Sequence, residues 1–359
     1  MSSELRSDPR AAEVIGAACP LPIRERDVVV LGHGSGGRLG AELVERLILP
    51  SLANPTLAEL DDQAVVELEG GRVAFTTDSF VVTPIFFPGG DIGELAVNGT
   101  INDLAVGGAR PIALSLAFIL EEGFPLADLR RVLASVHAAA NRAGVPIVTG
   151  DTKVVGNGSG DGIFINTSGI GVVPPGIELG SARVRPGDAV LVSGPIGEHG
   201  IAVLASREGL ELGGDLRSDT APLHGLVHAL LEACPAVHAM RDPTRGGIAA
   251  TLVEIASRRS VGIDVDEAAV PIQSDVRGAC EILGLDPWFV ANEGRLIAFV
   301  PEEHAETALA ALRAHPQGRR AARIGTVTRE HPGVVVAHTP LGSKRVVDLP
   351  FHEPLPRIC

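Results

Sequence analysis

The chain contains no tyrosine, one tryptophan and ten phenylalanines in 359 residues, and only two of its 30 basic residues, Lys153 and Lys344, are lysine. Base stacking needs aromatics, and a phosphate backbone is held by an excess of cations. With 44 acidic residues against those 30, the formal charge is -14. Nucleic acid is therefore not an expected partner, and neither is an anionic lipid surface gripped by basic residues. Long apolar runs are missing as well. The longest stretch without Asp, Glu, Lys or Arg, Gly162 to Ile177, spans sixteen residues and is broken by Pro174 and Pro175. A spanning helix needs about 20, so no membrane segment is expected. The segment SSELRSDPRAAEV mixes charges and lacks the apolar core of a secretory signal, which makes the cytoplasm the expected location. Cys19, Cys234, Cys280 and Cys359 form no C-x-x-C pair, which disfavours a zinc ribbon or a disulfide framework. No G-x-x-x-x-G-K-[ST] occurs, so a standard P-loop is excluded.

What is present is a hydrophobic content of 45%, enough for large cores in a chain long enough for two domains. Residues 1–25 show no periodicity and read as an N-terminal arm. From Val28 onward β-branched runs alternate with helical patterns: VVVL as a strand, GRLGAELVERLILPSL as a helix, then AVVEL, RVAFTTDSFVV, and an apolar helix near 94–106. Further strand and helix patterns continue through GIFINTSGIGVV. This alternation predicts an α/β (α+β) layered fold. The Pro- and Gly-rich segment 174–188 marks a boundary, giving a first domain over 26–175 and a second over 176–335. Residues 336–359 read as a C-terminal tail. Prolines at 350, 354 and 356 favour an extended chain there. Ten residues of it would reach ~30 Å, far enough to carry Cys359 to a distant site.

Several motifs carry chemistry. GHGSGG (32–37) formally satisfies G-x-G-x-x-G, but the acid that a dinucleotide fold wants about 20 residues on is misplaced. A Gly-rich backbone can still cover phosphates. Asp61, Asp62, Asp78, Asp103 and Asp151 stand at comparable places near the ends of elements. One Asp in a turn is ordinarily a cap or a local hydrogen-bonder; several gathered together repel unless a cation such as Mg2+ lies between them. Glu94, Asn98 and Asn102 recur every four residues on one helix face. DPTRGG (242–247) reads as an Asp N-cap followed by Pro at the first helical position, with Arg245 placed to fork a phosphate. His224 and His228 stand four apart, but no third zinc ligand accompanies them.

Together, DDQAVV, TTDSFVVTPIFFPGGDIGELAVNGTINDLAVGGARP, TGDTKVV, SGPIGEHG, DPTRGG, NEG and the terminal PRIC closely resemble the HypE family of hydrogenase-maturation proteins, from about Val28 to the last residue. HypE proteins share a superfamily with aminoimidazole ribonucleotide synthetase, selenophosphate synthetase and thiamine-phosphate kinase. The resemblance implies a two-domain fold of that superfamily, with the N-terminal sheet pairing across a homodimer, and ATP with Mg2+ as cofactors. It implies that the partner HypF carbamoylates Cys359, that the chain then dehydrates the thiocarboxamide to a thiocyanate, and that the HypC–HypD complex accepts the cyanide for the iron of [NiFe]-hydrogenase. By the same resemblance Mg2+ is expected on Asp61, Asp62, Asp78, Asp103, Asp151 and Asp242. The nucleotide is expected on Gly34, Ser35, Gly36, Gly37, Asn98, Asn102, Thr152 and Arg245. Lys153 would contact the transferring oxygen, and Glu293 would take the nitrogen proton. A kinase or cyclase acting on a small metabolite, or a non-catalytic maturation scaffold, are the alternatives.

Overall fold

The computed structural model describes residues 29–34, 37–52, 54–210, 215–349 and 357–359. Contacts divide the chain into Met1–Leu31 and Gly32–Cys359. The expected arm over 1–25, with Cys19, lies outside the described residues, as do Ser35, Gly36 and the prolines of the tail.

Residues 29 and 30 have no regular structure and Leu31–Gly34 is one 3-10 turn, so the strand expected at VVVL is not formed there. The next helical pattern is broken into α1 (Arg38–Leu43), a π-helical stretch (Val44–Ile48), α2 (Leu49–Leu52) and α3 (Pro55–Ala58). A five-stranded sheet then assembles from β1 (Ala64–Leu68), β2 (Gly71–Phe80), β5 (Arg110–Glu121), β6 (Ile147–Val155) and β7 (Ile163–Val173), in the order β1-β2-β7-β5-β6. β3 (Phe86–Phe87) and β4 (Gly90–Asp91) make a separate small hairpin. All neighbours in the sheet are antiparallel except β5 and β6. The parallel pair needs a crossover, and α5 (Leu126–Ala143) supplies it.

α4 (Ile92–Val106) lies on one face of this sheet. Its N-terminus is capped by Asp91, whose side chain accepts from the Gly93 and Glu94 N–H groups. Apart from Glu94 and Asp103 the helix is buried along its whole length, as expected of a helix that is apolar all round.

The second sheet contains β8 (Asp188–Val192), β9 (Ala239–Arg241), β10 (Gly262–Asp266), β11 (Ile297–Pro301), β12 (Ala322–Thr328), β13 (Val335–His338) and β14 (Lys344–Val347), in the order β14-β13-β10-β12-β8-β11-β9. Around it stand α6 (Glu198–Glu208), α7 (His224–Ala233), α8 (Gly247–Arg259), α9 (Ser274–Leu283) and α10 (Ala305–Ala314). Val190, Val192, Ile297 and Phe299 pack with α8 on one face, and Ala189, Leu191, Ala298 and Val300 with α7 and α10 on the other. Because both faces are covered, β8 and β11 read as continuous apolar runs rather than alternating ones. β13 and β14 fall largely in the segment expected to be tail. Residues 336–347 instead complete this sheet, since GVVVAH has the β-branched content of a strand.

Candidate active site

Five of the six expected metal-binding aspartates line one cleft of about 480 Å3: Asp61, Asp62, Asp78, Asp103 and Asp242, with Arg241 and Arg245. Asp61 and Asp62 precede β1, and Asp242 directly follows β9. Asp78 stands in register with Ala74, Thr76 and Phe80, the β2 side chains that face α4, and α4 itself delivers Asp103. His33, Gly34 and Gly37 line the same cleft.

The carboxylates are held close and poorly solvated. The Thr76 hydroxyl lies 2.7 Å from Asp103 Oδ2, the Thr100 hydroxyl donates to Asp78 Oδ2 at 3.0 Å, and Asp62 Oδ2 is 2.6 Å from Arg241 Nε. Burial pushes Asp62, Asp78, Asp103 and Asp242 all above the ordinary carboxylate range, Asp242 to about 6. For Asp62, Asp103 and Asp242, neighbouring carboxylates push the same way, while Arg241 pulls Asp62 and Asp242 back. Such a set binds protons too readily for an empty surface cleft and suits a cation. Among the described residues, however, no three His, Cys, Asp or Glu groups converge closely enough to share one ion.

Asp151, Thr152 and Lys153 are not brought to this cleft. β6 is the edge strand, and its parallel register sets Asp151 beside Ala117 and Lys153 beside Ile119, on the sheet face turned away from α4. The sheet therefore separates Asp151 and Lys153 from Asp78 and Asp103, while Thr152, beside Phe118, alternates to the other face at this edge and lines neither cavity. Lys153 Nζ sits 2.7 Å from Asp151 Oδ2, and the Thr152 N–H donates to Asp151 Oδ1. These two charged side chains line a second cavity of about 410 Å3 with Ser79, Val81, Phe118 and Asn166.

Asn98 and Asn102 also depart from the expected nucleotide contact. Both are buried. Asn102 donates to the carbonyls of Ala221 and Glu293 and accepts from the Leu223 N–H, so it braces two loops from the α4 side. Asn98 donates to the Thr220 hydroxyl. The cap expected in DPTRGG is absent too. α8 starts at Gly247, after Gly246 and Gly247 both take left-handed backbone with φ +77 and +60. A Cβ on Gly247 would stand 2.4 Å from the Trp288 carbonyl, so only glycine fits this tight entry. Asp242 is thereby left to face the cleft, and Arg245 donates to the Gly34 carbonyl at 3.1 Å.

Glu293 is 3% exposed, and its Oε1 has no hydrogen-bond partner. Burial, then Asp242 and Asp219, hold its carboxyl well above the usual range, and Arg245 opposes them. The motif around it ties two others together. Asn292 Oδ1 accepts from Gly197 N–H of SGPIGEHG at 2.7 Å, and Asn292 Nδ2 donates to the Pro243 carbonyl of DPTRGG at 2.9 Å.

The end of the chain is docked in the fold. The Val81 N–H donates to the Cys359 carbonyl at 3.1 Å, and the Thr83 N–H and Arg207 Nη2 both donate to the Arg357 carbonyl, at 3.2 and 2.6 Å. His199 Nε2 is 2.8 Å from the Ile358 carbonyl. A carbonyl only accepts, so Nε2 carries the proton and Nδ1 receives the Ser218 hydroxyl at 2.8 Å. Burial lowers the His199 pKa and keeps this neutral form. Ile358 is 1% exposed within the core that joins the first sheet to α6 and α9, and Arg357 pairs with Asp161. Val81 belongs both to this seat and to the cavity of Lys153. The tail thus ends against Val81, a residue that also lines the cavity of Lys153, while the Glu293 carboxyl faces the charges of Asp242 and Asp78.

Sequence reading missed Asp219, Asn292, His199 and Arg207. The only signal for Asn292 and His199 was membership of NEG and SGPIGEHG; Asp219 and Arg207 lie in no motif.

Comparison with known proteins agrees along the length of the chain. Residues 60–173 match the family described as AIR synthase related protein, N-terminal domain, and residues 185–338 its C-terminal domain. A protein of Azotobacter vinelandii named carbamoyl dehydratase HypE is 56% identical over 331 residues, covering 92% of this chain and 97% of its own. A crystal structure of HypE in complex with ATP is 49% identical with a TM-score of 0.78, covering 92% and 100%. A HypE–HypF complex gives 45% identity and a TM-score of 0.82, covering 86% and 99%.

Proposed function

This chain belongs to the HypE family of carbamoyl dehydratases within the AIR synthase related proteins, and we propose that it uses ATP to dehydrate a carbamoyl group carried on Cys359, as a step of hydrogenase maturation. The observation that carries this is the seated C-terminus. A kinase or cyclase for small metabolites has no use for a terminal thiol held in the fold by main-chain hydrogen bonds. A scaffold would have no use for a buried, partnerless carboxylate.

An amide oxygen leaves poorly, so transfer of a phosphoryl group onto it, followed by loss of phosphate and the nitrogen protons, produces S–C≡N. Overall, carbamoyl-thiol and ATP become thiocyanate, ADP, phosphate and a proton. By the family resemblance Lys153 would meet the oxygen that receives the phosphoryl group, although the sheet separates it from the aspartates of its own chain, and Glu293 would take a nitrogen proton. Asp61, Asp62, Asp78, Asp103 and Asp242 would hold Mg2+, one or two carboxylates per ion with water and phosphate completing the shell. That ion supplies charge neutralisation on the phosphates. Gly34, Gly37 and Arg245 would border the nucleotide. Asp151 and Thr152 stay outside this assignment.

The raised pKa values of Asp62, Asp78, Asp103 and Asp242 make these four a test of the metal. A carboxyl whose pKa is raised by folding favours the fold most at a pH below its unfolded value near 4, and that contribution is lost as pH climbs through about 6. For Asp242 the loss is ~3 kcal/mol at most. The metal-free protein is expected to melt lower at pH 7.5 than this cluster would allow at pH 5.5, and Mg2+ to raise the midpoint more at pH 7.5. Equal shifts at both values would remove the metal from these residues.

The partner is HypF, by the complex formed by a relative, and the HypC–HypD complex is the proposed acceptor; loss of the cyano group on its addition checks that step. The outer face of the first sheet exposes Val66, Leu68, Phe75, Ile119, Ile170 and Val172, an apolar surface that suits a second copy. Light scattering at twice 37.1 kDa checks the homodimer. The division near residue 175, into an ATP-binding and dimerisation domain and a C-terminal domain, follows the two sheets. The cytoplasm remains the proposed location.

Incubation with HypF, carbamoyl phosphate and ATP tests the whole reading. Intact mass is expected to show a carbamoyl adduct that then loses one water. An adduct that persists with ATP present would overturn it.

A further inference from the structure

Asp219 lies in no motif, yet its side chain is fully buried. Its two oxygens accept the N–H groups of Glu293 and Gly294, each at 3.1 Å. The approach is as close as the backbone allows: a Cβ on Gly294 would lie 1.8 Å from the Asp219 carbonyl oxygen. Arg295 Nε, 3.6 Å away, balances the charge. The residues on either side are engaged as well. Ser218 holds the His199 ring that carries the Ile358 carbonyl, and Thr220 accepts from Asn98 on α4. The segment is itself fixed from behind, because the Ser218 N–H donates to the Pro88 carbonyl at 2.8 Å.

We propose that Asp219 is a positioning residue for the dehydration: it grips the Glu293 peptide with both carboxylate oxygens, and with its neighbour Ser218 it sets the proton acceptor and the substrate-bearing tail from one three-residue segment. The proposal rests on Glu293 acting as the base. Its physical content is distance. A displacement of ~1 Å at a reacting group can cost on the order of a hundredfold in rate, and a carboxylate on a loop has no regular ladder of its own to prevent that.

Asp219→Asn keeps the shape and one acceptor but turns an amide N–H toward a peptide N–H. In the full-length protein, carbamoylated by HypF, D219N is expected to slow water loss at least tenfold while ATP affinity by calorimetry stays within threefold. The loss should shrink to under threefold when D219N is placed on Glu293→Asp, whose shortened carboxylate is already misplaced. A rate for D219N within twofold of the parent would overturn the assignment. So would an equal fractional loss in both backgrounds, which is the mark of a general structural defect. If D219N does not fold, Gly294→Ala opens the same clamp from the other side and is judged by the same two criteria. Glu293→Gln run in parallel separates the two claims: E293Q at the parent rate ends the reading of Glu293 as base, whereas an inactive E293Q beside a fully active D219N ends only that of Asp219.

Discussion

Glu293→Gln is expected to lower the rate at which the carbamoylated chain loses water by roughly 10²–10⁴-fold, the usual worth of a positioned proton acceptor, while ATP stays bound. Glutamine keeps the volume of a side chain that is 3% exposed and removes only its capacity to take a proton. The site makes that capacity useful. Burial, with Asp242 and Asp219 nearby, raises the Glu293 carboxyl well above its ordinary value, and a base whose pKa approaches the working pH accepts a proton more readily than an exposed carboxylate. The active form is the deprotonated one, so the parent rate should climb with pH as Glu293 loses its proton, and that limb should vanish in E293Q. Single-turnover mass spectrometry across pH reads both effects. A variant with the parent's rate and profile would sink the assignment.

Unseating the tail should be nearly as severe. Ile358→Asp forces a carboxylate into a core position that is 1% exposed, and burying an uncompensated charge there costs several kcal/mol. That is enough to lower the seated population at least a hundredfold. The thiol is untouched, so HypF should still carbamoylate the variant, and the adduct should then persist with ATP present. Ile358→Val removes one methylene, which costs ~0.5–1.5 kcal/mol, and should slow the step only a few-fold. Deletion of Cys359 should abolish both adducts with ATP binding intact. Cyanation of I358D at the parent rate would show that the docked conformation is not the reactive one.

Much of the fold could be read from the chain. The apolar stretch 94–106 was legible as a helix because no face of it is polar enough for solvent, and the strands at 64–80, 110–121, 147–155 and 163–173 because β-branched runs alternate between turn signals. Elsewhere the local signal gave way to its surroundings. VVVL has strand composition, yet its described residues 29 and 30 take no regular structure and Leu31 opens a 3-10 turn. DPTRGG has cap composition, but the left-handed Gly246–Gly247 pair starts α8 later and leaves Asp242 to the cleft. GVVVAH resembles the start of a tail because the segment after it, TPLGSKR, is turn-rich, whereas the parallel partner that makes it a strand, β10, lies some seventy residues earlier.

The acid excess, the scattered aspartates, the asparagines of α4 and the terminal cysteine were all fixed by the residues themselves, because charge and side-chain chemistry are properties of composition and motif. What they face was not. Strand alternation and register place Asp78 toward α4 and Asp151 and Lys153 on the opposite face of the same sheet, splitting one expected cage into two cavities. Only packing made Asn102 a brace between loops, gave Glu293 a dry environment, and brought Asp219, seventy-four residues away in sequence, into contact with its backbone. Such pairings depend on which groups lose water together, and that is decided when the two sheets and the tail close on one another.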